Sequence, residues 1–120
     1  MNIEELRSYC LSKAGVTEDL PFGPELLVFK VMGKLFLLTS LTFRPFRVNL
    51  KMEPELVGEY RDKYVDVQPG YHMNKKYWNS VYMENGTIPR KELLWMIDHS
   101  YEQVVKGLSK KAQEELNRIK

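Results

Sequence analysis

LLVFKVMGKLFLLTSL, residues 26 to 41, decides the fold. Two apolar runs with a period of two, LLVFKV and KLFLLTSL, flank Met32-Gly33, and a run–turn–run of this kind is the signature of an antiparallel hairpin. The period of two continues into PFRVNLKM, residues 45–52, where Phe46, Val48 and Leu50 share one face of a third strand. The opposite face of that strand, Arg47, Asn49 and Lys51, is expected to be wet. WNSVYM, residues 78–83, reads as a further strand, closed by the Asn85-Gly86 turn.

Helical periodicity frames these strands. Ile3, Leu6, Cys10 and Ala14 form one stripe, with Asn2 and Glu5 spaced as a capping box. TEDLPFGPE, residues 17–25, carries two prolines and a glycine and reads as a loop. A short helix from Glu53 to Tyr60 has Pro54 in its first turn and turns Leu56 and Val57 inward. From Pro89 to Gly107 the spacing of Leu93, Leu94, Ile97, Tyr101, Val104, Val105 and Leu108 predicts a long amphipathic helix. Ser109 then caps a polar last helix.

Helices at both termini and a mostly antiparallel sheet predict an α+β two-layer domain with the terminal helices packed on one face of the sheet, the other face being left free. With 120 residues, 43% hydrophobic and 28% charged, one domain spanning 1–120 and one core are expected. The single Cys10 cannot pair within the chain, and no Cys/His spacing suits zinc. MNIEELRSYC is acidic and amphipathic where a signal peptide is basic and then apolar, so a cytoplasmic protein is expected.

The net charge of +2 hides a segregation. Residues 26 to 52 hold Lys30, Lys34, Arg44, Arg47 and Lys51, and residues 67 to 83 hold Lys75 and Lys76, with no Asp or Glu in either segment. The rest of the chain carries eleven basic residues against all sixteen acidic ones. Strands disfavour acids in any protein, which explains part of this. If the seven cations lie on one side of the sheet, they raise a positive potential there.

The second basic segment contains PGYHMNKKYWN, residues 69–79. Lys75 and Lys76, with Lys34 on the hairpin and Lys51 at a strand end, are candidate phosphate contacts, and Arg44 and Arg47 supply forked donors. His72 and Asn74 would complete the polar rim. As a base or metal ligand His72 lacks a partner: Cys10 lies on a buried stripe, and His99 is on a distant helix beside Asp98. Trp78 is expected in the core, while Tyr71 and Tyr77 are open to stacking on bases. Ser100 and Tyr101 read as a helix-packing pair. No catalytic constellation, metal set, cofactor motif or glycine-rich phosphate loop is present in the sequence.

The VMGKLF hairpin, the NLKM strand end, PGYHMNKKYWNSVYM and the closing IPRKELLWMIDHSYEQVVKGL together resemble the MmcQ/YjbR family of small bacterial proteins. The resemblance rests most on Tyr71, His72, Met73, Asn74, Lys75 and Trp78, supported by Gly33-Lys34, Lys51 and Ser100-Tyr101. It implies an α+β fold similar to frataxin-like proteins and secretion chaperones, and a DNA-binding role of the double-wing type without catalytic residues.

Three functions follow in order: DNA binding through the basic sheet and hairpin; a non-catalytic protein–protein adaptor or chaperone-like module with the acidic helices as its face; and a small-molecule or enzyme site around His72. The first requires Lys34, Arg47, Lys51, Lys75 and Lys76 to converge.

Overall fold

A computed structural model describes all 120 residues. The 26–41 stretch is the predicted hairpin: β2 (Leu26–Val31) and β3 (Lys34–Ser40) pair antiparallel, and between them Met32 and Gly33 both have positive φ, 48° and 81°. Two left-handed residues make a turn whose twist matches that of the strands; glycine takes this conformation freely, and Met32 does not. β4 (Arg47–Lys51) and β6 (Trp78–Tyr82) continue the sheet, and its full order is β1-β2-β3-β4-β6-β5, with every pairing antiparallel.

The two outermost strands were not expected. β1 (Val16–Asp19) occupies the start of the predicted loop, and β5 (Val67–Pro69) is only three residues long. Both are edges, and charge or proline is how an edge resists further pairing. In β1, Glu18 is held by the Arg7 guanidinium and Asp19 lies 3.8 Å from the Lys30 ammonium.

Helices α1 (Ile3–Leu11), α2 (Pro54–Lys63), α3 (Arg90–Lys106) and α4 (Lys110–Ile119) all bury side chains against one face of this sheet. Alternation sends Leu27, Phe29, Val31, Leu37, Val48, Leu50, Val67 and Val81 into that shared core. The capping box is formed: Asn2 Oδ1 accepts from the Glu5 amide at 2.8 Å, and Ser109 Oγ accepts from Ala112 in the same way at 3.1 Å. Along α3 the buried stripe includes Met96 and Ser100, while Leu94 is only half-buried. No helix is long and apolar enough to cross a membrane.

The helix-free face is drier than the alternation suggests. Asn49, expected in water, is 1% exposed, because the β5–β6 connection folds back over β4 and covers it.

Candidate functional site

PGYHMNKKYWN forms this connection, and hydrogen bonds close it at both ends. The Gly70 amide donates to Trp78 O at 3.0 Å, and the amides of Tyr77 and Trp78 both donate to Asn74 O, at 3.1 and 3.0 Å. Asn74 Oδ1 also accepts from the Lys76 amide at 3.0 Å, so this residue builds the turn that presents the two lysines. From α2, Arg61 reaches the same turn: its guanidinium donates to Asn79 Oδ1 at 2.6 Å, to Lys75 O at 2.6 Å and to Trp78 O at 3.2 Å.

The front of the loop is pinned to the sheet. Asn49 Nδ2 donates to Tyr71 O at 3.1 Å, the Tyr71 amide donates to Ser80 Oγ at 3.0 Å, and Ser80 in turn donates to Asn49 Oδ1. Asn49 and Ser80 face each other across the β4–β6 ladder, and both are buried, so each polar group needs its partner. Gly70 is required by close approach: a Cβ there would stand 2.9 Å from both Cβ and the carbonyl oxygen of Trp78. Gly70→Ala should therefore cost about 1–2 kcal/mol, as overpacking does, and should shift tryptophan emission as the loop lifts. An unchanged denaturation midpoint and spectrum would show that the loop has room.

Around this loop the cations and rings are arranged together. Arg47 lays its guanidinium over Phe43 at 3.8 Å, with the rings of Tyr71 and Tyr82 at 5.4 and 5.8 Å. Lys51 and Lys76 approach the Tyr77 ring at 6.0 and 5.5 Å. Arg47, Lys51, Lys75 and Lys76 make no salt bridge, although Lys75 Nζ lies 3.4 Å from Gly70 O. Asp66 sits in the cleft beside Arg47, and Asn85 and Thr87 hold its two carboxylate oxygens.

The expected convergence is thus partial. Arg47 and Lys51 share the helix-free side of β4, and Lys76 meets Lys51 at the Tyr77 ring. Lys34 is exposed at the same end of the sheet, but by register it stands on the Val31 side, which faces the helices. Arg44 is turned away. Its guanidinium donates to the carbonyls of Leu41 and Phe43, at 3.2 and 2.8 Å, in a recess beside α1 at the opposite end of β4.

Trp78 corrects a further expectation. It stands opposite Lys51 on the helix-free side, half-buried and outside the core cluster, because Asn79 and Val81 take the inward positions of β6. A buried asparagine can do so here because Arg61, Val57 O and Met52 Sδ engage its amide. Ser100 and Tyr101 are packing residues, as expected: both are buried, and Tyr101 meets the Phe36 ring edge-on at 5.6 Å. Burial pushes the Cys10 thiol up to about 12, which leaves it protonated and inert.

His72 and Asn74 are both exposed at the rim. His72 has φ of 57°, its ring lies 4.0 Å from that of Tyr71, and its side chain makes no hydrogen bond. No three His, Cys, Asp or Glu side chains come together as a metal set.

The family model for YjbR matches residues 11–103, which takes in the whole sheet from β1 to β6. The chain belongs to the YjbR (MmcQ) family. Uncharacterized protein YbdF of Escherichia coli O157:H7 is 46% identical over 94 residues, 78% of this chain and 75% of that protein. YjbR of Escherichia coli K12 is 33% identical over 105 residues, 88% of each chain. The crystal structure of Deinococcus radiodurans DR2400, a DUF419 domain, superposes with a TM-score of 0.88 at 38% identity, covering 97% of this chain and 88% of that one. A Pseudomonas syringae protein of known structure gives 0.73 at 29% identity, covering 86% and 98%.

Sequence reasoning missed Phe43 and Tyr82, which form the ring cage at Arg47, and Arg61, which supports the lysine turn. Tyr82 was detectable, since alternation along β6 puts it on the side of Trp78. Phe43 and Arg61 come from a loop and a helix far away in sequence, and no spacing rule links them to the site.

Proposed function

We propose that this protein is a non-enzymatic DNA-binding module that contacts backbone phosphates through the helix-free face of its sheet. One observation carries the reading: Arg47, Lys51 and Lys76, none of them ion-paired, gather against Tyr71, Tyr77 and Tyr82 on one side of the sheet. Unpaired cations lose little on meeting a phosphate, and the exposed Tyr71 ring beside Arg47 offers a surface on which a base can stack, Tyr77 and Tyr82 being half-buried. Tyr71 is 50% exposed, enough for such a contact. The set is Arg47, Lys51, Lys75 and Lys76, with His72 and Asn74 at the rim; Lys34, on the helix side of the sheet by register, and Arg44 are left out.

Replacing Lys75 and Lys76 together with alanine should reduce the slope of log affinity against log salt by about 2, each phosphate contact contributing about 0.9. The loss should be the same on two unrelated duplexes, because phosphate contacts carry no sequence information. The fold should persist, since the turn is held by backbone groups and Arg61. Equal slopes for both proteins would remove these lysines from the site.

A second reading, a protein–protein adaptor, draws on a different surface. Trp95 on α3 is 41% exposed and stacks between Tyr60, at 5.7 Å, and His99, at 4.8 Å. No retention on heparin or duplex DNA at low salt would favour that reading.

A further inference from the structure

The helix-free face also contains a cavity that the phosphate contacts do not use. It has a volume of about 470 Å³. Its floor is Leu26, Leu35 and Leu38 from the outward side of β2 and β3, and its walls include Phe22, Phe43, Tyr71 and Met73. A contiguous apolar patch on a protein surface usually marks a binding site, and here Phe22 and Tyr71 at the mouth are 66% and 50% exposed beside the leucine floor.

The polar groups of the lining are few and unequal. Ser40 Oγ is bonded to Thr42 Oγ1 at 2.8 Å, and Asn49 is spent on Tyr71 and Ser80. The His72 imidazole and the Tyr71 hydroxyl make no hydrogen bond. His72 is held at φ 57°, a conformation that costs energy in a non-glycine residue and recurs at ligand sites. No Asp or Glu lines the cavity, and the unpaired Arg47 guanidinium stacks against Phe43, which forms part of the wall. An apolar body of this size with one free imidazole at the rim and a cation behind the wall suits a ligand with a ring or short alkyl body and one negative charge.

We propose that this cavity binds a small amphipathic organic acid, its apolar body on Leu26, Leu35 and Leu38 and its carboxylate at His72 on the side of Arg47. Occupation would bury the exposed faces of Phe22 and Tyr71. The site adjoins the phosphate surface and shares Tyr71 and His72 with it, while Leu26, Leu35 and Leu38 belong to the cavity alone.

Naphthoate is a suitable probe, compared with the uncharged naphthalene methanol in titrations of the isotope-labelled protein followed by amide chemical shifts. Naphthoate should bind saturably with a dissociation constant below about 1 mM, and its shifts should be confined to the amides around Leu35, Leu38, Tyr71, His72 and Met73. The alcohol should bind about tenfold more weakly, having lost the charge-assisted contact. Leu38→Trp, which fills the cavity from the sheet, should abolish the shifts at unchanged melting temperature. Should that variant not fold, Phe22→Ala, at a residue already mostly in solvent, should weaken naphthoate at least about threefold. Absence of saturable shifts, shifts centred elsewhere, or binding that survives both substitutions would overturn the site. Equal affinity for acid and alcohol would overturn the assignment of the ligand as an anion.

Discussion

Arg61→Ala should lower stability by about 3 kcal/mol and disperse the Lys75–Lys76 turn in the same step. The arginine donates to three acceptors that lie on one short segment, Lys75 O, Trp78 O and Asn79 Oδ1. Asn79 is fully buried among the helices, so its oxygen has no water to replace the guanidinium, and a buried acceptor left bare costs about 1–3 kcal/mol. The two carbonyls add less, since they lie nearer solvent. Chemical denaturation measures the stability loss, and DNA titration at one salt concentration measures the second effect, which should match that of the Lys75/Lys76 double mutant although neither lysine is touched. Arg61→Lys should recover little, because a single ammonium cannot span acceptors that a planar fork reaches together. A variant with wild-type stability and weakened DNA binding would instead make Arg61 itself a phosphate contact.

Arg61 also marks the limit of what could be read from the chain. The four central strands and all four helices follow from periodicity and caps, because burial on one face leaves a repeating trace in the sequence. β1 leaves almost none: VTED holds two acids, and it becomes a strand only because β2 offers an open ladder and Arg7 and Lys30 offset the charges. β5 is too short for any period. The candidate site was legible as a list of cations and not as a geometry. Arg47, Lys51, Lys75 and Lys76 were identifiable from an acid-free context, yet the same context included Arg44, which its own loop carbonyls divert. Asn49 and Trp78 were misplaced for one reason: polarity was equated with water and aromaticity with core. In this sheet Asn49 and Ser80 satisfy each other under the loop, and Asn79 takes the inward place that a tryptophan would be expected to hold.

Ser100→Ala should cost about 3 kcal/mol, well above the roughly 1 kcal/mol expected for Tyr101→Phe in the next residue, which removes the one neutral hydrogen bond from the Tyr101 hydroxyl to Ala14 O, 2.6 Å long. The reason lies in the β3–β4 ladder. Its register, Leu37 with Leu50 and Leu38 with Asn49, would place Phe36 opposite Lys51, yet pairing stops one residue short. The Ser100 hydroxyl stands in the gap: it accepts from the Lys51 amide at 2.8 Å and donates to Phe36 O at 2.5 Å. Phe36 is also skipped on its other side, where the β2–β3 register passes from Phe29–Leu37 to Lys30–Leu35. A side chain from α3 therefore replaces a rung of the sheet, and it does so at the strand end that carries Lys51. Alanine leaves a buried carbonyl and an amide without partners, and exchange of the Lys51 amide with solvent should accelerate accordingly. If the strands instead close and Lys51 bonds directly to Phe36, that amide will stay protected and the cost will fall to the level of Tyr101→Phe. The hydroxyl would then be a spacer that sets where Lys51 sits, and the effect of Ser100→Ala would be read in DNA affinity and not in stability.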